Sequence, residues 1–438
     1  MIAVKPSTVQ IFRNVAETYS AQLLRIAGAV VFNIWLTRLL SPPARGYYGV
    51  GLAVAIMATQ FGQFGLNTAN TYFVAKEPRL RSVLLGNSVL TTLIAAPVLI
   101  LIVFLIHIIG PSWIAVPNEP LAVALCYVPF SLAYIFFQGL LLGTHQIRQY
   151  NLLELSNRYI PLAVLGVCVL LSSVTPVTAL AGVVLGQGVA CIWAWTTLRS
   201  HPDGAAYSWP LMTDTLRYGV RIHLATVFSF ILFRADLLMV AHMRGAAEAG
   251  YYSLATSLAE YMSLPASVAG TVLLPHLSSL HESPEKFRLM LQWLLGLAAL
   301  MMPLFVAAAY IGNPIIRGLF GEKYLPSWPG FVWLLPGIYF LGLACIAVQF
   351  ITSIGYKLSV AAAWFSAVVL NLAVNLYAIP HYGIVGASVS CSVCYALAFL
   401  LILLIAFRHR RSDAVPHRSE ARGRGVRNLS TGNGVFDA

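Results

Sequence analysis

Stretches of about 20 or more mainly apolar residues, each bounded by charge, proline or glycine, recur along the chain. There are twelve, near residues 18–40, 47–73, 84–108, 120–143, 153–173, 177–198, 217–241, 250–277, 289–311, 328–353, 358–379 and 384–407. At about 1.5 Å of rise per residue, each run predicts a helix long enough to cross the hydrocarbon of a bilayer. The first follows a polar, mixed-charge stretch and leads directly into further spans, so a retained first helix is expected rather than a cleaved signal peptide. The predicted class is an all-α integral membrane protein with twelve transmembrane helices.

The most polar and turn-rich interruption, Ser200 to Asp214 with Pro202, Asp203, Gly204 and Pro210, divides the spans six and six. It predicts an N-terminal lobe over 1–198, a linker over 199–216 and a C-terminal lobe over 217–407. Residues 408–438 are basic, rich in Gly and Ser and without apolar periodicity, which predicts a disordered tail. Within the lobes, SPPARGYYGVGLAVA (41–55) aligns with GAAEAGYYSLATSLA (245–259) at an offset of 204, pairing Gly46-Tyr47-Tyr48 with Gly250-Tyr251-Tyr252. Both segments join the first and second spans of their half. Two six-helix halves in the same orientation, related by an axis along the membrane normal, place a substrate site between them.

Composition narrows the function. With 59% hydrophobic and 10% charged residues the chain departs far from soluble proteins, which excludes a water-soluble enzyme. A net charge of +12 would in a soluble protein suggest nucleic acid, but its distribution gives another answer. With the N-terminus inside, cytoplasmic loops and the tail hold eighteen Lys and Arg, against Arg45, Arg244, Arg317 and Lys323 outside. The positive-inside rule then predicts cytoplasmic termini, and no nucleic-acid partner is needed. The outer connections near 109–119 and 312–327 are too short for a folded domain. The six cysteines all fall inside predicted spans, and the C-x-x-C spacing of Cys391 and Cys394 lacks companion ligands, so neither a disulfide, a metal nor a cofactor is expected. Without a phosphate-binding glycine loop or a nucleophile elbow, the chain reads as a transporter without an ATPase motor and not as an enzyme.

Polar positions inside the spans carry the candidate chemistry. At 100° per residue, Gln60, Gln63, Asn67 and Asn70 fall within one narrow sector of the second span. Ser253, Thr256, Glu260, Ser263 and Ser267 form a line on the eighth, and Thr18, Gln22, Arg25 and Asn33 one on the first. Such stripes serve either interhelical hydrogen bonds or a hydrated cavity; runs of four or five polar groups on one face predict the cavity. A charge at the bilayer centre costs at least about 2.5–3.5 kcal/mol, so it must face protein or water. Those predicted inside spans are Arg25, Arg38, Arg221, Arg234, Asp236 and Glu260, with Glu154 and Arg158 near the start of the fifth span. The basic excess suits an anionic ligand, since guanidinium pairs phosphate oxygens in bidentate fashion. Arg25, Arg234, Arg221 and Arg158 are the phosphate candidates, although Arg38 and Arg221 lie near enough to span ends to snorkel. Gln22, Asn33, Gln60, Gln63, Asn67, Asn70, Ser263 and Ser267 are the neutral candidates for contact with a ligand's polar groups. Asp236 and Glu260 either neutralise arginines or bind a coupling ion.

The segment TRLLSPPARGYYGVGLAVA across the first two spans, FRADLLMVAHMRGAAEAGYYSLA and LPASVAGTVLLPHLSSL across the seventh and eighth, and NLAVNLYAIPHYGIVGASVS at the eleventh resemble the polysaccharide transporter, or Wzx-type oligosaccharide flippase, family of the MOP superfamily, related to MATE exporters and lipid II flippases. The resemblance covers all twelve predicted spans. It implies two six-helix bundles in a V that carry lipid-linked oligosaccharide across a bacterial cytoplasmic (inner) membrane by alternating access. The product would feed exopolysaccharide, capsule or O-antigen assembly, alongside other polysaccharide assembly proteins. By position, Arg25 and Arg234 match arginines that hold the pyrophosphate of undecaprenyl carriers, and Arg234 and Asp236 match an R-x-D on the seventh span. The stretch Ala241-His242-Met243 is less glycine-rich than the family's, and the two further C-terminal helices of lipid II flippases have no counterpart here. Two alternatives compete. An ion-coupled MATE-like multidrug exporter would use Asp236 and Glu260 for the ion, but buried arginine repels cationic drugs. A membrane polysaccharide polymerase needs a larger outer loop.

Overall fold

A backbone surrounded by lipid has no water to bond, so apolar runs close their hydrogen bonds internally as helices. The computed structural model describes residues 8–199, 206–355 and 358–410, with side chains from Ser20 onward except those of Arg221 and Ile222. Among these residues there is no strand. The first half contains α1 (Thr8–Leu39), α2 (Pro42–Gly62), α3 (Leu66–Lys76), α4 (Arg81–Ile109), α5 (Asn118–Leu125), α6 (Tyr127–Gly143), α7 (Ile147–Leu170) and α8 (Pro176–Arg199). The second contains α9 (Trp209–Arg244), α10 (Ala246–Met262), α11 (Leu264–Ser279), α12 (Ser283–Phe320), α13 (Ser327–Ser353) and α14 (Leu358–Arg408). Nine helices among the described residues are long and apolar enough to cross a membrane, or ten when α2 and α3, bent by 47°, count as one span. The chain is a multi-pass membrane protein.

The difference from the expected twelve has local causes. The run at 250–277 is divided into α10 and α11, of 17 and 16 residues. Helix α14, 51 residues long, carries two runs and leaves helical geometry at Gly383 (φ 56°, ψ −138°). Residues 200–205 of the expected linker and 411–438 of the expected tail lie outside the described residues.

Two features near the start of α2 set the geometry of the molecule. Ser41 caps the helix, its hydroxyl accepting the Ala44 N–H, and prolines fill the first turn where no N–H donor is needed. One turn later α2 crosses α10 at van der Waals limits. A Cβ on Gly46 would lie 1.9 Å from the Ala246 carbonyl oxygen, and one on Gly250 would lie 2.0 Å from that of Pro42. Pro42 and Ala246 are themselves related by the offset of 204, so the sequence repeat meets itself in a reciprocal contact, as a pseudo-two-fold axis requires.

A 3-10 turn at Glu322–Tyr324 closes the same end of the molecule. Lys323 Nζ donates to the carbonyls of Arg38 and Leu40, each at 2.8 Å, and the Tyr324 hydroxyl donates to Leu40 O at 3.2 Å. At the opposite end of α2 the chain breaks at Phe64 (φ 47°) and Gly65 (φ 72°). A side chain at Gly65 would meet the Gly219 carbonyl of α9 at 2.2 Å, so the break is locked against the second half. Nearby, the rings of Tyr72 and Tyr218 stack at 4.8 Å. One apolar interior runs through both halves and includes Leu84, Leu132 and Phe136 of the first and Leu273, Met290 and Phe350 of the second. Exposed apolar side chains such as Leu93, Leu170 and Leu295 face outward, where lipid would meet them.

Candidate functional site

Both halves line a central cavity of about 370 Å3. Helix α2 presents Arg45, Gly49, Leu52, Ala53 and Ile56 to it, one face at helical spacing. Helix α1 contributes Asn33, α7 Arg158 and α8 Gln187, while Arg234, Ser257, Glu260 and Tyr261 come from α9 and α10. Three guanidiniums therefore face one carboxylate, and that carboxylate, Glu260, is engaged by Arg234 at 3.0 Å. Three polar atoms of this lining, Arg45 Nε, Gln187 Oε1 and Arg234 Nε, are buried without a partner. Each would cost about 1–3 kcal/mol if the site stayed dry, so the cavity is built for water or for polar ligand atoms.

Four of the residues expected at the site belong to this central group: Arg158, Arg234, Asn33 and Glu260. Arg25 does not. Its guanidinium pairs with Glu154, 129 residues away in sequence, and donates to Gln22 Oε1 at 2.7 Å. Glu154 also accepts from the Tyr134 hydroxyl at 2.7 Å and from the Gln138 amide. Arg25 and Gln22 are thus tied into a network inside the first half, and the charge foremost in the sequence is met by a carboxylate of this chain. The side chain of Arg221 lies outside the described residues.

The stripe on the second span also leaves the cavity. Gln63 donates to Gln60 Oε1, and the Gln60 carbonyl bonds His223 Nε2 at 2.8 Å. Asn70 Nδ2 donates to Ser88 Oγ at 2.9 Å, and Asn67 lies against Gly139. None of Gln60, Gln63, Asn67 and Asn70 lines the central cavity. The common sector assumed an unbroken helix, and the left-handed residues at 64 and 65 end that register. On the eighth-span line, Ser263 lines a neighbouring cavity of about 240 Å3 with Arg234 and Glu260. Ser267 lines a third, of about 360 Å3, together with Thr226 and Trp364.

Asp236 is buried behind the cavity, away from any arginine pair among the described residues. It accepts from Asn375 Nδ2, from the Cys391 thiol and from the Tyr252 hydroxyl at 3.5 Å, and Asn375 also donates to Asn371 Oδ1 at 3.2 Å. Cys391 of the C-x-x-C pair is thus a hydrogen-bond donor, and no cluster of three or more His, Cys, Asp or Glu suited to a metal occurs among the described residues. Sequence reasoning missed Arg45 and Gln187. Arg45 falls between the apolar runs at 18–40 and 47–73 and so counts among the outer cations, yet its spacing of 4 and 7 to Gly49 and Leu52 is legible.

The chain is thus a polytopic helical bundle with a cavity rich in arginine between its two halves. Its fold is similar to that of the lipid II flippase MurJ in an inward closed conformation (TM-score 0.72, 11% identity, 90% of this chain and 87% of that one). An inward-facing multidrug resistance MATE family transporter of the MOP superfamily is also similar (TM-score 0.71, 13% identity, 89% and 94%). Residues 11–281 match the family described as polysaccharide biosynthesis protein, and the chain belongs to that family. A "Putative O-antigen transporter" of Shigella flexneri is 22% identical over 233 residues, 52% of this chain and 56% of the relative, so this chain spans about half the length of that protein.

Proposed function

We propose that the chain is a flippase that moves undecaprenyl-pyrophosphate-linked oligosaccharide repeat units across the bacterial cytoplasmic membrane by alternating access. The observation that carries this reading is the inter-half cavity with guanidiniums in excess over carboxylate, inside a chain of the polysaccharide biosynthesis family. Arg158 and Arg234 would hold the phosphates there, while the pairing with Glu154 favours a structural role for Arg25. Asn33, Ser263 and Ser267 would meet sugar hydroxyls, while the prenyl tail stays in lipid. Hydrogen bonds inside the first half favour a structural role for Gln60, Gln63 and Asn70, and packing against Gly139 favours one for Asn67. Twelve crossings follow if α10 with α11 forms one and α14 forms two on either side of Gly383. The basic loops then favour cytoplasmic termini, lobes over 1–198 and 217–407, and a cytoplasmic linker and tail. Rocking about the α2–α10 crossing would open the end now held by Lys323 and Tyr324. Asp236, with the amide oxygens of Asn371 and Asn375, offers a set that a coupling cation or proton would suit.

Fold likeness does not separate this reading from a multidrug exporter, since the two TM-scores are 0.72 and 0.71. Charge does, because a cavity with three arginines and one glutamate repels cationic drugs. Deleting the gene should stop polymer export and cause lipid-linked oligosaccharide to accumulate on the inner leaflet. Arg158→Ala and Arg234→Ala should be expressed in the membrane yet fail to restore export, with Arg234→Lys restoring part of it. Normal polymer and no accumulation in the deletion strain refute the proposal.

A further inference from the structure

Arg45 is the least exposed cation among the described residues. It occupies the first turn of α2 and lines the central cavity, and only 2% of it is exposed. The described ion pairs are Arg25–Glu154, Arg234–Glu260, Arg244–Glu248 and Arg317–Glu322, and none reaches Arg45. Its neighbours are neutral. Nη2 donates to Asn33 Oδ1 at 3.0 Å and to Ser257 Oγ at 3.5 Å, and the Tyr48 ring centroid is 6.0 Å away. Nε is buried with no acceptor at all. Guanidinium stays charged in proteins, so this is a buried full charge for which no ion pair is found among the described residues.

The surroundings hold the group in place. Asn33 Oδ1 is aimed at Arg45 because it also accepts from Thr37 Oγ1 at 3.1 Å, while Asn33 Nδ2 points to the Tyr261 hydroxyl at 3.4 Å. Tyr261 in turn donates to Ala29 O at 3.2 Å. The parallel donors of this edge are Nε–H, which has no acceptor, and Nη2–H, whose contact with Ser257 is long at 3.5 Å, so an oxyanion that takes Nε–H and displaces Ser257 would pair two of its oxygens. Asn33 belongs to the first half and Ser257 to the second, so the shell spans the seam between them.

We propose that Arg45, with Asn33 and Ser257, forms a second oxyanion-binding subsite in the central cavity, apart from the Arg234–Glu260 pair. The ligand is an oxyanion of the transported head group. Its source is either the carboxylate of an acidic sugar or the phosphate of the carrier, and one bidentate pairing serves both. The proposal rests on the flippase reading for the identity of the cargo, but its test does not.

The test uses the purified full-length protein in detergent, titrated with D-glucuronate, inorganic pyrophosphate and, as a neutral control, D-glucose, with affinity read by thermophoresis. The wild type is expected to bind at least one of the two anions and not D-glucose. Arg45→Ala should weaken that binding by about tenfold to a hundredfold, the loss of one charge-assisted pairing. Loss confined to D-glucuronate identifies the sugar carboxylate, and loss confined to pyrophosphate identifies the carrier. Should Arg45→Ala aggregate, Asn33→Asp decides. It sets a carboxylate where Oδ1 now lies 3.0 Å from Nη2, so it should raise Tm and abolish anion binding together. A purely structural Arg45 predicts the gain in Tm without the loss of binding. Wild-type affinity for both anions in Arg45→Ala or Asn33→Asp, or a wild type that binds neither, overturns the subsite. In that event the flippase reading still stands, whereas normal polymer in the deletion strain removes that reading whatever Arg45 binds.

Discussion

The crossing of α2 and α10 lends itself to a quantitative test. In Gly46→Ala the new Cβ would sit 1.9 Å from the Ala246 carbonyl oxygen. An ordinary C···O contact is about 3.3 Å, so the helices must part locally by roughly 1.4 Å. The obstacle is a helix backbone, which cannot turn aside as a side chain can, so the cost should lie toward the upper end of the about 1–3 kcal/mol typical of overpacking. Gly250→Ala meets Pro42 O at 2.0 Å and should cost a similar amount, because the contact is reciprocal. Both substitutions push the same pair of helices apart, so the double variant should lose less than the sum, with a coupling of about 0.5–3 kcal/mol. Thermal unfolding in one detergent at one scan rate provides the measurement, since such proteins commonly unfold irreversibly. Gly166→Ala in α7 and Gly296→Ala in α12 are controls: no atom lies within 4 Å of either new Cβ, and helix propensity predicts a gain of up to about 1 kcal/mol. A wild-type Tm for either seam variant, or losses that simply add, would refute a shared and tightly fitted contact.

Three further outcomes follow from the buried polar groups. Glu154→Ala strands Arg25 in a half-buried site and should destabilise by about 1–3 kcal/mol, whereas the Arg25→Ala/Glu154→Ala double variant should be more stable than Glu154→Ala alone; equal Tm values would remove the pair as a structural element. Lys323→Ala withdraws a cation from the terminal carbonyls of α1 and should cost about 0.3–1 kcal/mol. It should also speed labelling of a cysteine placed at fully buried Leu36 by a membrane-impermeant maleimide, and unchanged labelling would deny Lys323 a sealing role. Asp236→Ala leaves the donors of Asn375, Cys391 and Tyr252 without their acceptor and should lower stability by about 1–3 kcal/mol, with an unaltered Tm as the contrary result.

How much of this was legible in the chain depends on which quantity was local. Apolar runs marked the helices well, because each helix closes its own hydrogen bonds and needs only sufficient length. The repeat was legible too, since Gly46 and Gly250 serve a contact that repeats with it. The stripe of Gln60, Gln63, Asn67 and Asn70 misled, because a sector computed over eleven residues cannot survive left-handed backbone at Phe64 and Gly65. Non-local partners were out of reach. The cost of a buried charge identifies Arg25 as compensated, but does not say whether the compensation is a ligand or Glu154 on a helix far along the chain. Arg45 escaped for the reverse reason: its neighbours Pro42 and Pro43 look like a loop, yet they are the first turn of a helix.

Offsetting the two halves by 204 separates what the repeat keeps from what it does not. Gly46 and Gly250, Tyr48 and Tyr252, and the close pair Gly49 and Ser253 all fall in register at the seam. The charges do not: Arg25 aligns with Ser229, Arg45 with Ala249, Arg234 with Val30, Asp236 with Phe32 and Glu260 with Ile56. Contact geometry is therefore symmetric where the helices cross, and electrostatics is asymmetric where a ligand would sit. That division has a mechanical consequence. The Arg25–Glu154 and Arg234–Glu260 pairs each lie within one half and would travel intact through any rocking of the halves. The shell of Arg45 would not, since Asn33 moves with it while Ser257 moves with the other half. Opening the seam thus alters the coordination of Arg45 and spares the pairs of Arg25 and Arg234, which makes Arg45, of these three, the cation at which ligand binding and the position of the halves are most directly linked.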